Sequence, residues 1–131
     1  MSKGHLGLFS QNTTTLIRFY TEKLGFHEGE SRTVSRRLME DLFGVAEESR
    51  MTKLHRDDLT LEIFSLSDAF PASREDCRTG LNHFGLWVED KEAFCRTLKD
   101  QGATVIKSPY RDRFVYFVRD PDGNRIEIFA R

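Results

Sequence analysis

The apolar residues of this chain recur with two different periods, and the changes of period divide it into elements. Steps of two are typical of β-strands, and they run through residues 5–9, 26–34, 46–55 and 59–65, and again through residues 83–88, 103–107, 113–118 and 125–129. After the first strand of each set, steps of three and four predict an amphipathic helix. The sequence therefore predicts the order strand, helix, three strands twice.

Each predicted helix has an apolar stripe and residues that mark its ends. Asn12 or Thr13 can cap the first helix and Asp90 the second, because short polar side chains accept hydrogen bonds from free backbone amides. Gly25 and Gly102 follow the last turns, where a left-handed residue commonly ends a helix. The stripes consist of Leu16, Phe19, Tyr20 and Leu24 in the first helix, and of Ala93, Phe94, Thr97 and Leu98 in the second.

Two short motifs occur once in each half of the chain, at matching places. The segment His5-Leu-Gly-Leu-Phe is similar to His83-Phe-Gly-Leu-Trp, and Leu61-Glu-Ile-Phe is similar to Ile126-Glu-Ile-Phe. Such repetition indicates a duplicated unit, and two copies are too few for a solenoid. We therefore predict a single α+β domain over residues 1–131, with module 1 at about 3–66, a linker at 67–80 and module 2 at about 81–131.

Two further segments complete the predicted organisation. The last strand is preceded by Asp120-Pro-Asp-Gly, which has the residues that a type I turn favours. Residues 35–44 are an addition to the first module without a counterpart in the second. They predict a short amphipathic helix closed by Gly44, which forms either a lid or part of a dimer contact.

Charge and composition argue against several functional classes. The formal net charge of −1 gives no electrostatic basis for binding nucleic acid or an anionic membrane. No apolar run is long enough to span a bilayer, and no signal segment precedes the first strand, so we expect a cytoplasmic protein. We expect Cys77 and Cys95 to be free thiols in preference to a disulfide, because a reducing compartment disfavours disulfides.

Four polar residues lie inside apolar strands, namely His5, Glu62, His83 and Glu127. The period of two places each of them on the face opposite to its apolar neighbours, where a carboxylate is costly unless a cation neutralises it. If the two modules pack as a pseudo-twofold pair, the four side chains converge on one divalent ion. Imidazole and carboxylate ligands suit zinc, nickel, cobalt, manganese or iron. Each residue alone also fits an ordinary core or edge position, but chance rarely repeats both types at the same phase.

Other residues near these four have less specific interpretations. His27, beside a helix end, and His55, in a charged turn, are predicted to be solvated. Arg113 could bind an anionic substrate tail, although a surface charge is the simpler interpretation. By strand phase, a set of aromatic residues lies near the expected ion and either lines a pocket or fills the sheet core: Phe9, Phe64, Trp87, Phe117 and Phe129.

Five motifs extend over nearly the whole chain. They are His5-Leu-Gly-Leu, Phe19-Tyr-Thr-Glu-Lys-Leu-Gly-Phe, Leu61-Glu, His83-Phe-Gly-Leu and Asp120-Pro-Asp-Gly. With them the sequence resembles the vicinal oxygen chelate superfamily, which includes glyoxalase I, methylmalonyl-CoA epimerase, extradiol dioxygenases and fosfomycin-resistance proteins. The resemblance implies two βαβββ modules whose mixed sheets curve into a cup around one divalent metal. It implies that the metal ligands are His5, Glu62, His83 and Glu127.

The resemblance also implies a chemistry. Dioxygenases and fosfomycin-resistance proteins of this family use two His and one Glu, whereas Glu62 adds a fourth ligand, as in glyoxalase I and the epimerases. That favours a lyase or isomerase in which the metal stabilises the enolate of a small substrate with adjacent oxygens, and Glu62 or Glu127 moves a proton. The alternatives are an extradiol-type dioxygenase and a non-catalytic protein that binds a small molecule or antibiotic. Relatives commonly form homodimers, so we expect one here.

Overall fold

The computed structural model describes residues 4–70 and 79–131, and the chain divides between residues 73 and 74 into two compact units. The first unit contains a four-stranded sheet in the order β1-β4-β3-β2. In it β1 is parallel to β4, and the other pairs are antiparallel. Its elements are β1 (Gly4–Ser10), α1 (Thr13–Lys23), β2 (His27–Val34), α2 (Arg36–Phe43), β3 (Ser49–Arg56) and β4 (Leu59–Ser65).

The second unit repeats this arrangement without the additional helix. Its four strands lie in the order β5-β8-β7-β6, again with only the first pair parallel. Its elements are β5 (Phe84–Val88), α3 (Lys91–Asp100), β6 (Thr104–Tyr110), β7 (Arg113–Arg119) and β8 (Arg125–Ala130). The predicted α+β class and the twofold order of strand, helix and three strands are therefore confirmed.

The helix ends match the prediction except at the start of α1. Asp90 Oδ1 accepts a hydrogen bond from an amide of α3 at 3.1 Å, and both predicted terminal glycines have a positive φ. Asn12 stands at the cap position of α1, but its side chain makes no capping hydrogen bond. The polar contacts at this end involve Ser10 instead: its Oγ accepts from the Asn12 amide at 3.1 Å, and its carbonyl accepts from the Thr13 hydroxyl at 3.5 Å. Local side-chain bonds of this kind compete with capping.

The apolar stripe of α1 is buried as predicted, whereas that of α3 is rotated. Leu98 is buried, but Thr97 is exposed and Cys95 takes its place against the sheet. Cys95 and Leu98 are three residues apart and so lie on one helix face. The thiol therefore belongs to the core of the second unit, and Cys95 is free.

Helix α2 lies where the sequence predicts it, with Ser35 as its cap and Gly44 as its end. Ser35 Oγ accepts the Leu38 amide at 3.2 Å, and Gly44 is left-handed with φ 69°. Only Met39 of this helix is fully buried, in a cluster with Val34, Val45, Met51 and Phe64. The other apolar residues of this helix, Leu38, Leu42 and Phe43, are exposed.

The Asp120 turn forms as predicted and introduces β8. The Gly123 amide donates to the Asp120 carbonyl at 2.9 Å, which closes the turn. The Asp120 carboxylate is buried and accepts the amides of Asp122 and Asn124, each at 2.9 Å, and the Asn124 side chain at 2.7 Å. The turn is thus fixed by one aspartate that satisfies several donors at once.

The connection between α2 and β3 is longer than the sequence predicts. Strand β3 begins at Ser49, three residues later than expected, because Glu47 instead accepts the amide and hydroxyl of Ser67 at 2.8 and 2.7 Å. Cys77 and most of the expected linker lie outside the described residues. No helix in the described part of the chain is long and apolar enough to cross a membrane.

Candidate functional site

In the first unit, His5 on β1 and Glu62 on β4 come together on one face of the sheet. Glu62 is the cross-strand partner of Gly7, two residues beyond His5. Its neighbours Leu61 and Ile63 are fully buried, so alternation turns the carboxylate to the opposite face. There His5 Nε2 lies 3.6 Å from Glu62 Oε1, with the two side chains 62% and 19% exposed.

The second unit builds the same pair from β8 and the residue that precedes β5. Glu127 is the cross-strand partner of Gly85, two residues beyond His83. Ile126 and Ile128 on either side of it are buried. His83 Nε2 lies 3.3 Å from Glu127 Oε1, with side-chain exposures of 37% and 20%. The repeated motif in the sequence is therefore a repeated contact in the structure.

The His83 imidazole is more constrained than that of His5. Its Nδ1 is hydrogen-bonded to Asn82 Oδ1, and an amide oxygen can only accept. In neutral His83, Nδ1 therefore bears the proton and Nε2 presents its lone pair beside Glu127. The ring also meets the Phe117 ring edge-on, with 5.0 Å between centroids.

A phenylalanine follows each glutamate by two residues and covers the glycine opposite. In the first unit, a Cβ built on Gly7 would lie 3.6 Å from the Phe64 ring, which is ordinary contact. In the second, a Cβ on Gly85 would lie 2.6 Å from the Phe129 ring, which is too close. The glycine thus leaves the space in which the ring lies beside the His–Glu pair.

The five predicted aromatic residues all lie on the face of the glutamate in their own unit. Phe9 and Phe64 are cross-strand partners, and with Phe43 of α2 they form three edge-to-face contacts of 5.3–5.9 Å. Trp87 stacks on Phe129 at 4.6 Å. The fifth, Phe117, is the partner of Glu127.

Arg113 shares the strand phase of Phe117 but lies at the other end of β7. Its guanidinium is 5.6 Å from the Tyr110 ring. A role for Arg113 in binding an anionic tail stays a prediction.

Sequence reasoning missed polar neighbours of Glu62 on the same sheet face. His55 is not in a turn but in β3, half-buried, with Nδ1 3.0 Å from Thr60 Oγ1, and its ring lies over Gly29. The expectation that His55 is solvated was therefore wrong. His27, its cross-strand partner, is exposed as expected. Strand register is the signal that relates these residues, because the tight turn between the paired strands β3 and β4 places Lys53 opposite Glu62 and His55 opposite Thr60.

Lys53 is the second missed residue, and it is the cross-strand partner of Glu62 itself. Its ammonium pairs with Glu30 Oε1 at 3.0 Å. The hydrogen bond and charge of Lys53 hold the pKa of Glu30 below its usual range, with smaller contributions from Arg32 and His55. A cation therefore stands on the same face as the first His–Glu pair.

The donor atoms of each pair fit a divalent metal. Ligand atoms at about 2.1 Å from one ion are separated by roughly 3.0–3.4 Å, which is close to the observed Nε2–Oε1 distances. Among the described residues of each unit, no group of three or more His, Cys, Asp or Glu side chains is placed to hold a metal. Each unit thus offers a two-ligand half-site of one imidazole and one carboxylate.

Comparisons with known proteins agree with this architecture. A family model described as the Glyoxalase/Bleomycin resistance protein/Dioxygenase superfamily matches residues 3–128. A probable lactoylglutathione lyase of Synechocystis sp. is 30% identical over 70 residues, which are 50% of this chain and 53% of that protein. The match thus spans about half the length of this curated relative.

Solved structures show the same fold. A glyoxalase family protein from Enterococcus faecalis superposes with a TM-score of 0.71 at 26% identity, covering 95% of this chain and 93% of that one. The trypanothione-dependent glyoxalase I of Leishmania major gives a TM-score of 0.71 at 22% identity, covering 96% and 84%. At 22% identity, the likeness to the Leishmania major protein concerns the fold alone.

Proposed function

Because this chain belongs to the glyoxalase/bleomycin resistance/dioxygenase superfamily, we propose that it is a metal-dependent lyase or isomerase whose substrate is a small molecule with adjacent oxygens. The observation that supports this most directly is the duplicated His–Glu pair, with donor atoms 3.6 and 3.3 Å apart. The similarity to a probable lactoylglutathione lyase agrees with a glyoxalase-like reaction.

In this proposal both half-sites bind the same ion, so His5, Glu62, His83 and Glu127 are its ligands. Zinc, nickel, cobalt, manganese and iron all suit two imidazoles and two carboxylates. A divalent metal would act as a Lewis acid toward negative charge that develops on the substrate oxygens. Asn82 would fix the tautomer in which His83 Nε2 is the ligand atom.

The protein side of the reaction is proton transfer. Glu62 or Glu127 would accept the proton from the carbon next to the substrate carbonyl and return it to the neighbouring carbon, as a general base and then a general acid. Both carboxylates are only about a fifth exposed. That limits competition from water for the transferred proton.

Substitution of the half-site residues tests metal binding and metal-dependent turnover. His83→Ala should abolish stoichiometric metal binding, measured by elemental analysis after gel filtration, because it removes a ligand and leaves Glu127 without its partner. Glu127→Gln should abolish metal-dependent turnover of an α-hydroxyketone or a hemithioacetal. His27→Ala is the matched control, since His27 is an exposed histidine outside both pairs, and it should retain both properties. Full metal content in His83→Ala would refute the site.

An oxygen electrode separates this proposal from an extradiol-type dioxygenase. Uptake of oxygen by the iron-loaded protein with a catechol would favour the dioxygenase. The additional carboxylate of Glu62 favours the lyase or isomerase, in which no oxygen is consumed. Failure of the protein to bind any divalent metal would instead favour a non-catalytic small-molecule binder.

We further propose that the protein forms a homodimer, in which the two half-sites belong either to one chain or to two. Mixing the His5→Ala and His83→Ala variants distinguishes these arrangements. If sites are shared across the dimer, exchange of subunits restores about a quarter of the metal sites. If one chain provides all four ligands, mixing restores none.

A further inference from the structure

The two half-sites differ in the residue that lies directly opposite the glutamate on the neighbouring antiparallel strand. In the second unit this residue is Phe117, the cross-strand partner of Glu127. In the first unit it is Lys53, the partner of Glu62. Cross-strand partners project from the same face at about 5 Å separation. One carboxylate therefore has an aromatic neighbour, and the other has a cation within reach.

A lysine at this place does not help to hold a metal. An ammonium beside a ligand carboxylate repels the incoming cation and competes with it for the same oxygens. The second unit shows that the half-site forms with an apolar side chain in this position. The first half-site therefore does not need Lys53 in order to form, and its ammonium is available to another anion.

The present partner of Lys53 holds it only weakly. Lys53 Nζ lies 3.0 Å from Glu30 Oε1, and the two side chains are 24% and 68% exposed. An ion pair that is open to water on one side contributes little to stability, so the ammonium can exchange Glu30 for another anion at small cost. The flexible stem of lysine allows this movement without a change of backbone.

We propose that Lys53 binds a carboxylate of the substrate while the adjacent oxygens of that substrate chelate the metal at Glu62. This inference rests on the proposed function and assigns the substrate class: a small α-oxygenated molecule with a carboxylate a few bonds from its chelating oxygens. A single negative charge matches the site better than a phosphate dianion, because Lys53 has a carboxylate on each side, Glu30 as its ion-pair partner and Glu62 as its cross-strand partner, and these repel a second charge.

Two chelators that differ only in their tails test the assignment. Acetohydroxamate and the monohydroxamate of succinic acid have the same bidentate oxygen head, but only the second has a carboxylate. Isothermal titration of the nickel-loaded protein should show about tenfold tighter binding of the carboxylate-bearing probe, as expected for one charge-assisted contact. In Lys53→Met this ratio should fall to about one, while acetohydroxamate binds as in the wild type.

Matched variants complete the test. Lys53→Arg should keep a ratio above one, because the charge is retained. Glu30→Gln should raise the ratio, because it removes the competing anion. Lys23→Met, which makes the same change of charge on α1, should leave the ratio unchanged. A folded Lys53→Met protein, verified by circular dichroism, that keeps the tenfold preference would overturn the inference while the metal site stands. Absence of hydroxamate binding by the nickel-loaded wild type would overturn the proposed function and this inference together.

Discussion

Gly7 and Gly85 occupy equivalent places opposite Glu62 and Glu127. The phenylalanine rings that cover these two glycines lie at different distances from them. The Phe64 ring leaves normal room for a methyl group on Gly7, whereas the Phe129 ring does not leave it on Gly85. Phe129 is also held by its stack on Trp87. The second half-site is therefore packed more tightly around its glycine than the first.

This difference predicts unequal effects of alanine substitution at Gly85 and at Gly7. Gly85→Ala should lower the free energy of unfolding by about 1–3 kcal/mol, because the Phe129 ring must move from its stack. Gly7→Ala should change it by less than about 1 kcal/mol, since the new contact is ordinary and a glycine is removed from the unfolded chain. Urea titration followed by circular dichroism measures both. Equal effects of the two substitutions would contradict the asymmetry.

Cys95 is the other residue whose environment allows a specific expectation. Burial against the sheet, with a smaller effect from Glu92, raises the pKa of its thiol to about 11. The folded state then holds a proton that the unfolded state releases at lower pH. This contribution to stability is complete below the unfolded pKa and is lost as the pH rises toward 11.

We expect two measurements to agree on this thiol in a Cys77→Ser background, which leaves Cys95 as the single cysteine. Alkylation by iodoacetamide at pH 8 should be at least about a hundredfold slower in the native protein than in urea, because the thiolate is both scarce and buried. Between pH 9 and 11 the free energy of unfolding should fall further in this protein than in its Cys95→Ala variant. Rapid native alkylation would show that the thiol is not buried.

At the scale of elements, the Asp120 turn fixes the position at which β8 begins. One buried carboxylate satisfies two backbone amides and the Asn124 side chain, and β8 then places Glu127 opposite Gly85. The turn thus sets the register of the strand that contains a site residue. By contrast, the exposed Asp112 lies in the tight β6–β7 connection, next to left-handed Arg111.

Replacement of these two aspartates should have unequal effects. Asp120→Ala should destabilise the protein by about 2–4 kcal/mol, because it leaves buried donors without an acceptor. It should also weaken metal binding, since β8 loses its fixed start. Asp112→Ala is the control of the same chemistry and should cost less than about 0.5 kcal/mol. Thermal unfolding with and without metal measures both quantities.

At the scale of the whole molecule, periodicity was enough to predict the strands, the helices and the sheet face on which the site residues lie. It succeeded because Glu62 lies between the fully buried Leu61 and Ile63, so its face follows from local phase alone. His5 alternates in the same way with the half-buried Leu6 and Leu8. It failed for Lys53 and His55, whose relation to Glu62 depends on the register of β3 against β4. It also failed for Asn12, whose side chain does not cap α1 and whose backbone amide donates to Ser10 Oγ.

A metal shared by both half-sites should appear in the stability of the complete chain. At a free metal concentration of about 100 times Kd, binding to the folded state adds about 2.7 kcal/mol to the free energy of unfolding. His5→Ala and His83→Ala should each lose most of this increment, and the double variant should lose no more than either single one. Additive losses would indicate two separate ions.

The parallel pairing of β1 with β4 and of β5 with β8 has a kinetic consequence. Gly4 pairs with Leu59 and Phe84 with Ile126, whereas β3 joins β4, β6 joins β7 and β7 joins β8 through short connections. Closing the longer loops costs more chain entropy, so these edge strands should dock last during folding and detach first in the native protein. Amide hydrogens of β1 and β5 should therefore exchange with deuterium before those of β3 and β7. The histidines at their starts would then be released from the glutamates by local opening, well before either unit unfolds.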